Sequence, residues 1–373
     1  MALAGLFLSA CDKTDRTFSL LDAGSSFQQS PTYTQRKLDI LWVVDNSGSM
    51  ESSQTNLTNS FSSFINRFQT LNYDFHMAIT STDSWRAAYV ANQTSKDILR
   101  SLRVGPINFT TTPYSWLTNS GVRIMDRTTP NLANVFISNA AQGTLGSGDE
   151  RAFSSFQEVL NNVTNSDFRR ADAVLAIIIV SDEDDFSANT SAFVPGAYDD
   201  EVDSDPVVPV DTGSATDMFH LYNDIRLFPV SNYKTYLDGL VGAGNYSVNM
   251  IGVMDTQCKS FLNSSFGGRR IGRRYMQLAD QTAGVKASLC DNFGQSLTLI
   301  SDSIISLTST FKLNREPVVA TIAVKVNGVD VPQDPTNGWT YNATDWSVTF
   351  HGTAVPAAGA AVQIFFTPKS AAN

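Results

Sequence analysis

Apolar runs and polar loops alternate along most of the chain in a pattern that predicts buried strands joined by amphipathic helices. Leu38 to Val44 is a nearly unbroken apolar run, partly β-branched, as in a strand covered on both faces. It stops at Asp45-Asn46-Ser47-Gly48-Ser49-Met50, where Asp45, Ser47 and Ser49 stand two apart and Gly48 permits a tight turn. Beyond it, Leu57, Phe61, Phe64, Ile65 and Phe68 mark a helix with one core-facing stripe. The run Phe75 to Ile79 reads as a second strand, ending in Thr80-Ser81-Thr82-Asp83, with His76 inside it as a satisfied, partly buried residue. Ala173 to Val180 is the strongest strand and runs straight into Ser181-Asp182-Glu183-Asp184-Asp185. Val248 to Met254 and Val285 to Leu289 read as further strands. Helical stripes fall at Phe153, Phe156, Leu160 and Val163, at Tyr233, Tyr236, Leu237, Leu240 and Val241, over Tyr275 to Thr282 with Gly284 as C-cap, and at Phe293, Leu297, Ile300 and Ile304. Strands alternating with such helices predict an α/β fold with a doubly wound, mostly parallel sheet.

The period changes at Glu316-Pro317. Thr321 to Val326 alternates and is followed by Asn327-Gly328, a hairpin signal; Trp346 to Phe350 and Val362 to Phe366 are further short strands. Residues 315–373 therefore read as a small β module, too small for a large core of its own. Two connections are longer than the pattern needs. Ser84 to Ala141 carries Trp85, Tyr89, Tyr114 and Trp116, and Phe186 to Ser214 carries Asp199-Asp200-Glu201 and three prolines. Long connections of this kind are often functional.

Ligands of open α/β sheets bind at the carboxyl ends of the strands. A carboxylate and two hydroxyls stand there, at Asp45, Ser47 and Ser49. A helix N-cap accounts for one serine; it leaves the second serine and the carboxylate without a task. Hard oxygen donors with no sulfur and no imidazole suit Mg²⁺ or Mn²⁺. The apolar share of 42% is ordinary for a globular chain, and the net charge of -10 argues against nucleic acid and polybasic membrane contact. None of the three histidines, His76, His220 and His351, adjoins the loops at Asp45 or Asp182, so a serine–histidine nucleophile is unsupported.

The Asp45-x-Ser47-x-Ser49 loop resembles the metal-ion-dependent adhesion site of von Willebrand factor type A domains, the fold shared with integrin I domains. The resemblance spans roughly Leu38 to Thr310, so residues 36–314 are expected to form that domain. It implies that Ser47 and Ser49 ligate the cation, while Asp45 and Asp182 hold waters and hydroxyls around it. In the family a second loop supplies a threonine. Here Gly143-Thr144-Leu145-Gly146-Ser147-Gly148-Asp149-Glu150 departs from the pattern. Counting back from Ala152 reaches Asp149, with Thr144 further away. Asp149 is either a ligand or, with Glu150, a complement to the helix dipole. Glu183, Asp184 and Asp185 exceed what one ion needs and read either as a second site, for Ca²⁺ near Asp184 and Asp185, or as a solvated acidic loop.

The resemblance implies a binding protein, not an enzyme, that grips an acidic group of a protein or other ligand through the cation. A metal-dependent hydrolase using activated water and a scaffold with a vestigial site are the alternatives. At the N-terminus, Leu8-Ser9-Ala10-Cys11 looks like the lipobox of bacterial lipoproteins, although no Lys or Arg precedes Cys11 as a signal peptide requires. Residues 1–11 then read as signal and lipobox with Cys11 lipidated, 12–35 as a Ser/Thr/Gln-rich tether, and the protein as lipid-anchored in the bacterial cell envelope. With Cys11 so used, Cys258 and Cys290 are expected to form one disulfide, the alternative being two separate buried thiols.

Overall fold

The computed structural model describes residues 27–29, 36–70, 73–188, 227–265, 267–357 and 360–369. The candidate lipobox ending at Cys11, the tether apart from 27–29, and the acidic connection around Asp199 lie outside the described residues.

A short strand β1 (Phe27–Gln29) precedes β2 (Lys37–Val44), α1 (Glu51–Thr70) and β3 (Phe75–Ser81). The insertion that follows holds a 3-10 turn (Ser84–Ala88), α2 (Gln93–Arg100), the hairpin β4 (Ile107–Asn108) and β5 (Ser115–Trp116), and α3 (Leu132–Ala140). The alternation then resumes with α4 (Ala152–Asn161), β6 (Ala173–Val180), α5 (Val230–Val241), β7 (Tyr246–Gly252), α6 (Thr256–Asn263), α7 (Arg273–Gln281), β8 (Lys286–Ser288) and α8 (Phe293–Thr308).

Strands β3-β2-β6-β7-β8 form one sheet in that order, and every neighbouring pair is parallel. Alternate side chains of β2 serve opposite layers. Leu38, Ile40, Trp42 and Val44 pack with Leu57, Phe61, Phe64 and Phe68 of α1, Phe136 of α3 and Leu297, Ile300 and Ile304 of α8. Leu41 and Val43 pack with Phe153 and Phe156 of α4, Leu237 of α5 and Leu278 of α7. Burial on both faces is why the strand reads as an unbroken apolar run. Trp42 sets its edge against Phe64 and Phe136, with ring centroids 5.0 and 5.4 Å apart. Each such side chain contributes about 1.5–3 kcal/mol by leaving water, so the two layers hold the strand ends in fixed positions. The sheet is thus the expected doubly wound parallel one. Chain order runs outward from β2 to β3, then jumps to β6 on the other side. The switch point therefore lies between β2 and β6, whose carboxyl ends carry Asp45 and Asp182.

The C-terminal strands β9 (Thr310–Lys312), β10 (Ala323–Val326), β11 (Val329–Val331), β12 (Trp339–Asn342), β13 (Ser347–Phe350) and β14 (Val362–Phe366) make two small antiparallel sheets, β1-β14-β10-β11 and β12-β13-β9. Asn327 and Gly328 both have positive φ, +49° and +83°, as a two-residue hairpin turn with the twist of its strands requires. Val324, Trp339, Val348, Phe350 and Ile364 continue the core beneath α1 and α8. Two features cross the boundaries drawn from the sequence. β1 lies within the stretch read as a tether, and β9 follows α8 directly, ahead of residue 315.

Smaller readings are corrected by packing. Val163 falls outside α4 and is 79% exposed; Val159 takes the buried position. Gly284 does not provide the left-handed residue after α7, because Ala283 does, with φ +52°. Gly284 is needed because a Cβ there would stand 1.8 Å from the Val248 carbonyl oxygen. In the insertion, Trp85 is buried, Tyr114 and Trp116 are half-buried and Tyr89 is half exposed. His76 is half-buried, with Nδ1 2.9 Å from the Phe168 carbonyl oxygen. No helix among the described residues is long and apolar enough to cross a membrane.

Candidate metal site

Three loops converge at the switch point. The first leaves β2 at Asp45. Its geometry is set by hydrogen bonds to Asp45 itself: the Ser47 N–H donates to Asp45 Oδ1 at 2.8 Å, and the Ser181 hydroxyl donates to Oδ2 at 2.8 Å. The Asp45 N–H donates to the Val180 carbonyl at 2.9 Å, tying the end of β2 to the end of β6. Ser47 Oγ and Ser49 Oγ lie 3.1 Å apart, and the Ser49 hydroxyl donates to Asp182 Oδ1 at 2.8 Å. Asp45, Ser47 and Asp182 are buried, and Ser49 is half-buried.

The second loop, Gly143 to Arg151, is clamped onto the first. Gln54 Nε2 donates to the carbonyls of Asp45 and Gly143 at 2.7 and 2.8 Å, while the Gly143 N–H donates back to Gln54 Oε1 at 3.1 Å. The Gly146 N–H donates to the Asn46 carbonyl at 2.8 Å; a Cβ on Gly146 would stand 2.5 Å from Asn46 Cγ, so only glycine permits this approach. Buried Asp83 accepts from the Asn46 amide and the Ser147 N–H.

The residue that this loop delivers to the site is Glu150. One carboxylate oxygen each from Asp45, Glu150 and Asp182 lies within 4.8 Å of the others. Glu150 Oε2 accepts from the Ser181 hydroxyl at 3.0 Å, whereas Oε1 is buried with no hydrogen-bond partner. Asp149, reached by counting back from Ala152, instead faces Arg151. Its two oxygens accept from Arg151 Nε and Nη2 at 2.9 and 2.6 Å, and the guanidinium lies 3.8 Å above the Trp85 ring. That stacked ion pair is buried and fixes which of two adjacent acids turns inward. The sequence offers Glu150 only as a companion of Asp149 at the helix dipole. Thr144 is half-buried further along the same loop.

The third loop follows β6. Asp182 Oδ2 accepts from Arg269 Nε at 3.0 Å, and Arg269 Nη2 donates to the Ser49 carbonyl at 3.1 Å. Asp184 and Asp185 do not form the expected second cation site or a solvated loop; both are fully buried. Asp185 Oδ1 accepts from the Phe153 N–H at the start of α4 and from the Ser187 hydroxyl. Asp184 Oδ1 accepts from the Asp185 and Arg274 N–H groups at 2.8 and 3.0 Å, and the Arg274 guanidinium lies 3.4 Å from Asp185. Their oxygens are committed to backbone donors, the Ser187 hydroxyl and an arginine, which leaves no lone-pair set facing a common point for Ca²⁺.

Crowding of carboxylates shows in their protonation. Burial pushes Glu150 well above the ordinary range, and the neighbouring charges of Asp45, Glu183 and Asp182 push the same way. Asp182 is pushed up to about 6 by burial first and Asp45 second, with Ser49 and Arg269 pulling it back. Burial, then Asp182 and Asp45, likewise raise Glu183 well above its usual value. A cluster that resists holding its own negative charge is one that a divalent cation relieves. The donors are all oxygen, and Glu150 Oε1 is an acceptor in want of a positive partner. These residues fit a hard divalent ion.

Cys258, at the start of α6, and Cys290, beyond β8, form a disulfide with Cα atoms 5.7 Å apart and span 32 residues. It closes the same edge of the sheet.

No protein-family model matches the sequence, and no curated protein matches it. Among solved structures the chain is similar to the pilus adhesin SpaC from Lactobacillus rhamnosus GG in its open conformation, at 12% identity and TM-score 0.41; the match covers 91% of this chain and 40% of that one. It is also similar to the adhesive tip pilin GBS104 from Group B Streptococcus agalactiae, at 9% identity and TM-score 0.36, covering 93% of this chain and 82% of that one. A third similarity is to the mussel byssus proximal thread matrix protein 1 with a zinc-occupied MIDAS motif, at 9% identity and TM-score 0.33, covering 78% and 52%. The chain spans less than half the length of SpaC. These are distant likenesses of fold.

Proposed function

We propose that this protein is a metal-dependent binding protein of the von Willebrand factor A type, which grips an anionic group of its partner through a divalent cation. The single observation that carries this reading is the buried Asp45–Glu150–Asp182 cluster at the switch point, with two serine hydroxyls beside it and a Glu150 oxygen that lacks a donor. Ser47, Ser49 and Glu150 would hold the ion, with Asp45 and Asp182 orienting the hydroxyls and waters around it. A bound divalent cation supplies an electron-poor centre that accepts a carboxylate oxygen. Mg²⁺ or Mn²⁺ suits the hard oxygen set. The partner is a protein or other ligand that presents a carboxylate. Retention at the cell envelope through a lipid on Cys11 is the localisation that the Leu8-Ser9-Ala10-Cys11 run supports.

The test is calorimetric titration of Mg²⁺ and Mn²⁺ into the full chain beside its Asp45→Ala variant. Saturable one-site binding in the parent, lost in the folded variant, is the expected result. Absence of binding to the folded parent, both alone and with acetate added to complete the ion's shell, would overturn the reading.

A further inference from the structure

The acidic cluster has a built-in counter-charge. Arg269 is 3% exposed, although it comes from the loop between α6 and α7. Gly268 takes φ +101°, a conformation natural to glycine. The Arg269 N–H donates to Asn263 Oδ1 at 3.1 Å, the Arg270 N–H to the Asp182 carbonyl at 3.1 Å, and the Gly272 N–H to the Val253 carbonyl at 2.9 Å. The loop is thereby fastened to the end of α6, to the end of β6 and to the residue after β7. From this frame Arg269 Nε reaches Asp182 Oδ2 and Nη2 reaches the Ser49 carbonyl, so one guanidinium bridges the first and third loops. With Ser49 on Oδ1 and Arg269 on Oδ2, both oxygens of Asp182 are already engaged.

Counting charges gives the consequence. Asp45, Glu150 and Asp182 carry three negative charges. A divalent cation alone would leave the site at minus one, which repels an incoming anion. Adding Arg269 brings it to zero. We infer that Arg269 is the specificity-determining residue of the site: its guanidinium offsets the third carboxylate, so that a bound divalent cation keeps enough positive field to capture an anionic oxygen. This rests on the metal-binding reading above and on the donorless Glu150 Oε1 within the cluster.

A role in charge and a role in mere support predict opposite signs for cation binding. Removing a positive charge beside a cation site tightens cation binding and weakens anion binding; removing a structural bridge loosens both. The experiment compares the full chain with Arg269→Gln and Arg269→Lys. Mg²⁺ is titrated by calorimetry, and acetate capture is followed by broadening of its ¹³C carboxyl resonance by protein-bound Mn²⁺. Arg269→Gln is expected to bind Mg²⁺ about tenfold more tightly and to lose most of the acetate broadening. Arg269→Lys, which keeps the charge without the fork, is expected to stay within about twofold of the parent for Mg²⁺. Equal or weaker Mg²⁺ binding by the folded Arg269→Gln variant, with the parent binding normally, overturns the inference and leaves the metal site standing. A parent that binds neither ion overturns both.

Discussion

Glu150→Gln tests the site without presupposing its ligand, because its effect should change sign with metal. The carboxylate oxygens of the cluster lie within 4.8 Å. Two unit charges at that separation repel by about 3.5 kcal/mol at an effective dielectric constant near 20. The folded protein can escape by protonating Glu150. Starting from an ordinary glutamate near 4.5, this costs about 2 kcal/mol at pH 6 and about 5 kcal/mol at pH 8, at 1.36 kcal/mol per pH unit. Glu150 faces two such carboxylates, about 7 kcal/mol in all, so protonation is the cheaper escape at both pH values and the penalty borne without metal has a ceiling of about 2 kcal/mol at pH 6 and about 5 kcal/mol at pH 8. The sign is that of a carboxyl raised on folding: its favourable contribution is complete below the unfolded value and is lost as pH climbs towards the raised one. Glutamine keeps an acceptor for the Ser181 hydroxyl and places an amide donor where Oε1 has no partner. Urea unfolding in EDTA should therefore find the variant more stable than the parent by roughly 1–2 kcal/mol at pH 6 and roughly 2–3 kcal/mol at pH 8, Arg269 having absorbed part of the repulsion. Saturating Mg²⁺ should reverse the order, since ligand binding to the native state stabilises the parent by linkage and the variant has lost an anionic ligand. A variant less stable than the parent at pH 8 in EDTA, or a gain that does not grow with pH, would refute this account of the cluster.

Gly146→Ala places a Cβ 2.5 Å from Asn46 Cγ; the first two loops should separate, and calorimetry should show Mg²⁺ affinity falling at least about tenfold while far-UV circular dichroism stays unchanged. Unaltered affinity would mean that the second loop contributes nothing to the site. Asp184 is pushed up to about 7 by burial, so its share of stability is complete below pH 3.8 and lost as pH rises through 7. Asp184→Asn should flatten the decline of the urea midpoint between pH 6 and 8, with Mg²⁺ present so that the metal cluster is silent. Replacing Cys258 and Cys290 together by serine should cost ~3.7 kcal/mol, given the 32-residue separation, as read from urea midpoints under non-reducing conditions; a loss under about 1 kcal/mol would count against the loop-closure account.

What could be read from the sequence, and what could not, follows from the range of the interactions involved. Strands buried on both faces write themselves as apolar runs, so β2 and β6 are legible with their ends, and the sequence alone places Asp45, Ser47, Ser49 and Asp182 at one edge of one sheet. The phase of the second loop is not legible. Asp149 and Glu150 are adjacent acids before a helix, and no local pattern separates them. The choice is made by Arg151 lying on Trp85, a ring from the segment whose pattern was least readable. Asp184 and Asp185 looked like surplus charge for the same reason. Their partners, the Phe153 N–H and Arg274, come from α4 and α7, about thirty and ninety residues away. Arg269 did leave a trace. Gly267-Gly268-Arg269-Arg270-Ile271-Gly272-Arg273-Arg274 sets two arginine pairs among glycines in an acidic chain, and buried carboxylates must find cations somewhere. Several acids at one strand end need counter-charges, and this run of arginines supplies them. On the proposed reading, the acids mark a place for a cation, and the arginine beside them would set how much of that cation's field a partner feels.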